Sequence, residues 1–288
     1  MFDNLGFSVL HMIVTGLKQD SLQPLLDNDI SNVDKVDAQM KTPLMWAAAR
    51  GDCEKVSELL AYDASTTPTD KEGRTALSWA AWSGSSGCAT CVRRLLENGA
   101  DPNIRDTRTM ESPLHWSLKG DDTAGSVVIA LLDYGADISS PAASGAQPLH
   151  RAAISGALQN ATILLDRGAD INATEGTYGD TPLFYAVSWK KPMLIRLFLE
   201  RGAKVTARHD GKNILHMAAT FCDAEVFDIL LSFRLQGIRA EDTDIDGNTA
   251  WDIFQQRQSA GSSQRFSSED YETSRASLAR LLELVDFC

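Results

Sequence analysis

Bulky apolar pairs punctuate the chain at Leu25-Leu26, Leu59-Leu60, Leu95-Leu96, Leu131-Leu132, Leu164-Leu165, Phe198-Leu199 and Leu230-Leu231. Each pair follows, by 17 to 20 positions, a four-residue phrase: SVLH from Ser8, TPLM from Thr42, TALS from Thr75, SPLH from Ser112, QPLH from Gln147, TPLF from Thr181 and NILH from Asn213. An eighth phrase, TAWD from Thr249, is followed by Leu281-Leu282 only 32 positions later. Phrases start 32 to 37 residues apart, and self-similarity at that period marks one supersecondary unit copied about eight times in tandem. The pattern predicts two short helices per copy, the phrase opening the first and the apolar pair lining the inner face of the second. A Thr or Ser hydroxyl caps the first helix, and Pro43, Pro113, Pro148 and Pro182 stand at its opening position, where a missing N–H costs nothing. Gly99, Gly135, Gly168 and Gly202 follow the second helix as left-handed stops. The expected fold is an all-α repeat solenoid, one domain over residues 1–288 that grows its core by adding neighbours.

The combination of TPL(H)-x-A-A, a V-x-x-L-L helix and G-A-D-x-N resembles the ankyrin repeat, most clearly over Ser112 to Asn172 and Thr181 to Val205, and the resemblance extends over essentially the whole chain. It implies a β-turn hairpin plus an antiparallel helix pair per repeat, stacked with hairpins and first helices on a concave side. The ends depart from the pattern. Repeat one closes on Asn28-Asp29-Ile30 instead of Gly-Ala-Asp, so residues 1–33 are expected to form an N-terminal capping repeat. In the last repeat Phe254 stands where a small alanine lets the next repeat approach, which fits a C-terminal cap over residues 244–288. Within that cap residues 255–274 are rich in Ser, Gln and Gly and are expected to form a mobile polar loop, followed by a closing helix through Leu278, Leu281, Leu282 and Val285. Smaller insertions around Ser83 to Gly87 and Gly120 to Gly125 are expected to lengthen surface turns.

Charge and cysteine usage narrow the function classes. Acidic residues outnumber basic ones 39 to 27, a formal charge of -12 that disfavours nonspecific phosphate contacts, so no direct nucleic-acid ligand is expected. Asp101, Asp137 and Asp170 recur at one repeat position and read as turn supports. No stretch approaches the roughly 18 apolar residues of a membrane span, and Phe7 to Leu17 lacks a basic leader, so an intracellular location and no membrane contact are expected. Five cysteines lack the spacing of a disulfide framework, and the lone Cys88-x-x-Cys91 opens a predicted helix, where buried thiols are expected rather than a metal or redox pair.

Four of five histidines, His11, His115, His150 and His216, share one place in the phrase, where the family uses the imidazole to tie neighbouring turns by hydrogen bonds. His209 alone stands outside it, beside Asp210 in a hairpin expected to be solvated. There is no glycine-rich phosphate loop, H-E-x-x-H or G-x-S-x-G, so neither catalysis nor a cofactor is expected.

Aromatic placement points to recognition. With Leu44 as the inward direction, a step of about 100° per residue puts Ala47 and Ala48 within about 60° of it and Trp46 about 200° away, beside Arg50 at about 240°. The same position holds Trp79, Trp116, Arg151, Tyr185 and Met217 in later repeats, and one turn onward stand Trp82, Trp189 and Phe221. Ankyrin repeats carry a framework leucine just after the histidine, so Trp46, Trp79 and Trp116 read mainly as packing between first helices, with partner contact as the alternative. Trp82, Trp189 and Phe221 occupy positions the family leaves variable and uses for partners. Packed helices lie about 8–10 Å apart and an extended strand rises about 3.3 Å per residue, so one aromatic per repeat meets every third side chain of a bound strand. The expected partner is an extended, basic segment of another protein held over repeats two to six by cation–π contacts, the array itself being monomeric. The leading class is a noncatalytic interaction adaptor. A nuclear co-regulator is the first alternative, since the run Leu114 to Ser117 resembles many fungal intracellular ankyrin arrays, some of which serve in regulation. The second is a regulatory or inhibitory subunit of an enzyme, with the Ser-rich stretch as a phosphorylation latch.

Overall fold

Thr42, Thr75 and Thr181 each turn their hydroxyl onto the backbone N–H three residues ahead, of Met45, Ser78 and Phe184, and so satisfy a donor that a helix start leaves open. Where the phrase carries histidine, the ring completes the cap: Nδ1 accepts from the backbone N–H of Ser8, Ser112, Gln147 and Asn213 at 3.1–3.3 Å. These caps begin helices in a computed structural model that describes residues 6–28, 30–84, 87–119, 125–176, 178–206, 209–233, 235–259 and 268–285.

The contacts divide the chain into two compact units, residues 1–144 and 145–288. In the first, α1 (Val9–Val14), α3 (Pro43–Arg50), α5 (Ala76–Trp82) and α7 (Pro113–Ser117) pack side by side as first helices. Their partners are α2 (Gln23–Asn28), α4 (Cys53–Ala61), α6 (Cys88–Glu97) and α8 (Gly125–Asp133), of which α4, α6 and α8 form a second row. The second unit repeats the plan, with α9 (Pro148–Ser155), α11 (Pro182–Ser188), α13 (Ile214–Phe221) and α15 (Ala250–Ser259) in one row. Its other row is α10 (Leu158–Asp166), α12 (Pro192–Glu200), α14 (Ala224–Leu231) and α16 (Ser268–Val285). Among the described residues the hairpins contribute only isolated bridges, His209 with Lys212 and Thr243 with Thr249, so each unit is an all-α repeat array. The apolar pairs act as predicted, with Leu26, Leu59, Leu95, Leu131, Leu164, Phe198 and Leu230 buried, while Ala47-Ala48, Ala152-Ala153 and Ala218-Ala219 let first helices approach at zero exposure.

Histidine stitches successive turns. Nε2 of His11 donates to the Lys41 carbonyl (2.9 Å), that of His150 to the Asp180 carbonyl (3.1 Å) and that of His216 to the Asn248 carbonyl (3.2 Å). A ring that accepts at Nδ1 and donates at Nε2 is neutral, and burial holds His11 and His150 below the ordinary histidine value. A base whose folded pKa is depressed gives full stability above its unfolded value of about 6.5 and loses it as pH falls, because the unfolded chain binds the proton first. The urea midpoint at pH 5.5 should therefore lie below that at pH 7.5, and His150→Gln should flatten the dependence; a midpoint constant across this window contradicts the neutral-histidine stitch.

Hairpin tips are joined through backbone: Lys71 N–H to the Gln39 carbonyl, Thr107 to Glu72 and Ala143 to Thr109, at 3.2, 2.8 and 2.8 Å. The tip residue is left-handed. Gly73 takes φ +78°, and a Cβ there would sit 2.9 Å from the backbone nitrogen of Thr107. Met40 and Met110 adopt the same conformation at φ +60° and +55° without the freedom of glycine, a strain of about 1–2 kcal/mol each. Met40→Gly should raise unfolding free energy by about 0.5–1 kcal/mol and Gly73→Ala should lower it by more than about 1 kcal/mol, both read from urea titrations.

The polar stretch differs from expectation. Residues 255–259 continue α15 and residues 268–274 already belong to α16, with only residues 260–267 outside the described set. A helix needs one apolar face, and Tyr271, Ser274, Leu278, Leu281 and Val285 supply it at three- and four-residue spacing, with Glu269 and Asp270 suiting the positive end of the helix. Tyr271 stacks on Phe254 at 5.3 Å and Phe227 meets the same ring edge-on at 6.1 Å, so Phe254 is fully buried. Composition hid this because Ser274 and Ser277 are buried small residues against neighbouring helices rather than loop solvent-seekers. Parts of the insertions predicted at Ser83 to Gly87 and Gly120 to Gly125, residues 85, 86 and 120–124, lie outside the described residues.

Candidate functional site

In the first unit the hairpin-covered edge of the first-helix row is a ladder of indoles and cations. Two aspartates set its register, each five residues ahead of its phrase. Asp37 accepts the N–H groups of Gln39 and Lys41 on one oxygen and the Trp46 indole N–H on the other (2.9 Å). Asp70 does the same for Glu72, Arg74 and Trp79 (3.0 Å) and also binds Arg74 Nε at 2.9 Å. With the rings fixed, cations slot between them. The Lys41 ammonium lies 4.6 Å from the Trp46 ring and 3.9 Å from Trp79, the Arg74 guanidinium 4.2 Å from Trp79 and 5.8 Å from Trp116, and Lys119 3.4 Å from Trp116. Burial beneath the rings, reinforced by the Arg74 charge, holds Lys41 below the usual lysine range.

Trp46 points away from its own core as predicted, yet the cation–π contacts expected for a partner at Trp46, Trp79 and Trp116 are already made by the chain's own Lys41, Arg74 and Lys119. Lys41 and Arg74, each directly before its phrase, lie in the hairpins over the indole row, and sequence reasoning missed them. The recurring Asp five places ahead of the phrase, at 37, 70 and again 244, was the legible signal.

Trp82 differs. It ends α5, meets Trp79 (5.5 Å, 72°) and Trp116 (6.4 Å, 82°) edge-on, and remains 51% exposed, whereas Trp79 is 9% exposed. Two neighbouring rings hold it in place while much of its surface stays open. Arg50, the last residue of α3, is exposed.

The second unit carries Arg151, Tyr185, Trp189 and Phe221. Arg151, Tyr185 and Phe221 are half-buried, and Trp189, at the end of α11, is 57% exposed. Tyr185 meets His150 edge-on at 5.8 Å and hydrogen-bonds buried Glu175; burial, then the charges of Glu175 and Asp180, push its hydroxyl up to about 12. His209 is not simply a solvated partner of Asp210. Its Nδ1 is 2.8 and 2.9 Å from the two oxygens of Asp180 in the preceding hairpin, its Nε2 is 3.7 Å from Asp210, and Tyr178 covers the ring at 4.6 Å. A one-residue hairpin neighbour in sequence is a poorer partner than a residue stacked beside it one repeat away. Tyr178 itself is 54% exposed and was not foreseen.

Elsewhere Cys88 and Cys91 are buried in α6, and burial pushes the Cys91 thiol up to about 12. Among the described residues no group of three or more His, Cys, Asp or Glu side chains is placed to hold a metal, and no helix is long and apolar enough to cross a membrane. Asp101, Asp137 and Asp170 each accept the N–H two residues on, the turn role read from sequence.

Comparison with known proteins agrees with this architecture. A family model described as ankyrin repeats in three copies matches residues 10–106 and 85–175, and one described as a single ankyrin repeat matches residues 178–210. The chain is similar to the transient receptor potential cation channel subfamily A member 1 homolog of Caenorhabditis elegans, at 29% identity over 77% of this chain and 15% of that protein. It is similar at 28% identity to the ankyrin repeat domain-containing protein SAT10 of Stachybotrys chartarum, over 73% of this chain and 10% of that protein. It therefore spans only a small part of the length of these relatives. The solved human ASB11 ankyrin repeat domain superposes with a TM-score of 0.67 at 24% identity, covering 83% of this chain and 98% of that one, a likeness of fold.

Proposed function

Because this chain belongs to the ankyrin repeat family, a fold that typically serves as a noncatalytic interaction module, we propose that it is a protein-interaction scaffold that docks a segment of another protein along its first-helix face. The observation that carries this is Trp82, a large aromatic side chain half exposed yet held by Trp79 and Trp116. Fixed aromatics with an open surface are the side chains on which interface energy concentrates. The reading assigns no catalytic role, since four of the five histidines are helix-capping groups and the fifth is held by Asp180 and Tyr178. In the second unit Trp189 and Tyr178 are exposed aromatics, and the exposed carboxylate of Asp210 keeps a basic segment as the proposal for that unit. The co-regulator and inhibitory-subunit versions would use the same residues and differ in the partner. Trp82→Ala in the full chain tests the docking role: loss of a partner retained by wild type supports it, and unchanged binding removes it.

A further inference from the structure

The ladder of the first unit has spent its anions but not its cations. Asp37 is taken by Trp46 and two backbone N–H groups, Asp70 by Arg74 and Trp79, Glu72 by Arg74 at 2.9 Å, and Glu111 by Lys119 at 2.6 Å and the Thr109 hydroxyl at 3.0 Å. Lys41 and Arg50, at the two ends of the same repeat's first-helix face, have no hydrogen-bond acceptor or ion-pair partner for their charged heads among the described residues. Lys41 lies against ring faces, which attract its charge without accepting its protons in ordinary hydrogen bonds, while Asp70, Asp37 and Glu72, each bound to other partners, favour its charge without bonding it.

Resting on the docking reading above, we propose that the first-helix face of residues 1–144 takes an extended acidic segment of another protein, with partner carboxylates on Lys41 and Arg50 and an apolar side chain on Trp82. The sign is opposite to that expected when the indoles are read from sequence alone, because the cations that would have come from the partner are built into the chain. Spacing agrees with a strand. Arg50 and Trp82 end the first helices of successive repeats, and helices about 8–10 Å apart match about every third residue of an extended chain. The net charge of -12 opposes an acidic ligand at long range, but screening over about 8 Å at physiological salt leaves the nearest groups in control. A carboxylate arriving at Lys41 also restores hydrogen bonds to an ammonium that burial has partly stripped of water.

The test uses the full chain and a labelled nine-residue peptide with a central leucine and adjacent glutamates three and four positions to either side, so that either chain direction offers two carboxylates to the repeat of Lys41 and Arg50, beside a twin carrying lysines instead. Fluorescence anisotropy should show the glutamate peptide bound at least tenfold tighter than its twin, and Arg50→Glu, an exposed change that leaves the core intact, should weaken it roughly tenfold; Lys41→Gln should act in the same direction. A twin bound equally or more tightly, no binding of either peptide, or indifference to Arg50→Glu overturns the proposal. Failure of the charge assignment is separable from failure of docking: a lysine twin whose binding disappears in Trp82→Ala leaves Trp82 as the contact and removes only the acidic preference.

Discussion

Trp79→Ala should lower the unfolding free energy of the first unit by about 3–5 kcal/mol, the range for deleting a buried large aromatic. Trp79 is 9% exposed, its indole N–H ends on Asp70, and its ring is contacted by Lys41, Arg74 and Trp82. Removing it leaves a void in the ladder and takes a donor from Asp70, a carboxylate whose remaining partners are Arg74 and two backbone N–H groups. Tandem repeats lose neighbour interfaces as well as local packing, so the urea transition should broaden toward two steps as the first unit melts ahead of the second. A change of less than about 1 kcal/mol would show that the ladder contributes little to the fold.

Trp82→Ala with Trp189→Ala should do the reverse. Both side chains are more than half exposed, and Trp82 forfeits only two edge-on ring contacts of about 0.5–1.5 kcal/mol each. Thermal unfolding followed by circular dichroism should move by a few degrees at most, while affinity for the partner measured by titration calorimetry should fall at least tenfold, about 1.4 kcal/mol. Two tryptophans of one helix thus divide into a buried packing group, Trp79, and a half-exposed one, Trp82, that the proposal assigns to partner contact. Trp79 stands one turn before Trp82 on α5, and that turn carries the ring from under the hairpin to beyond its edge.

The repeat plan was legible because it rests on local rules that recur from copy to copy: the capping hydroxyl, the proline at the first helical position, the leucine pair and the glycine stop. Each copy tests the others, and the structure follows them at Thr42, Thr75 and Thr181 with the same cap geometry. The role of His11, His150 and His216 was legible through resemblance, since the bond they make reaches about 30 residues ahead to the next hairpin and no local spacing encodes it. The candidate site was legible in part. Helical angle put Trp46 outside its own core, and variable positions singled out Trp82 and Trp189, but angle on one helix says nothing about what hangs over it. Lys41 and Arg74 arrive from hairpins, each contacting indoles of two successive repeats, so their contacts depend on stacking distance between copies. The same limit explains His209, whose partner Asp180 lies 29 residues back, and α16, whose apolar face is assembled from tyrosine, serine and leucine that composition scores as loop. Met40 and Met110 escaped notice because a left-handed φ is visible in sequence only when glycine announces it, as at Gly73.

The central claim is that Trp82 and Trp189 are contact residues on a scaffold held by Trp46, Trp79 and Trp116. It is tested most directly by quantitative proximity labelling from the full chain in cells, comparing wild type, the Trp82→Ala/Trp189→Ala variant and Met193→Ala. Met193 is a control of matched exposure, 60%, on the second helix α12. The prediction is that the double variant accumulates to the wild-type level and loses the proteins enriched by wild type at least tenfold, while Met193→Ala retains them. A double variant that labels the same proteins to the same extent as wild type would contradict it.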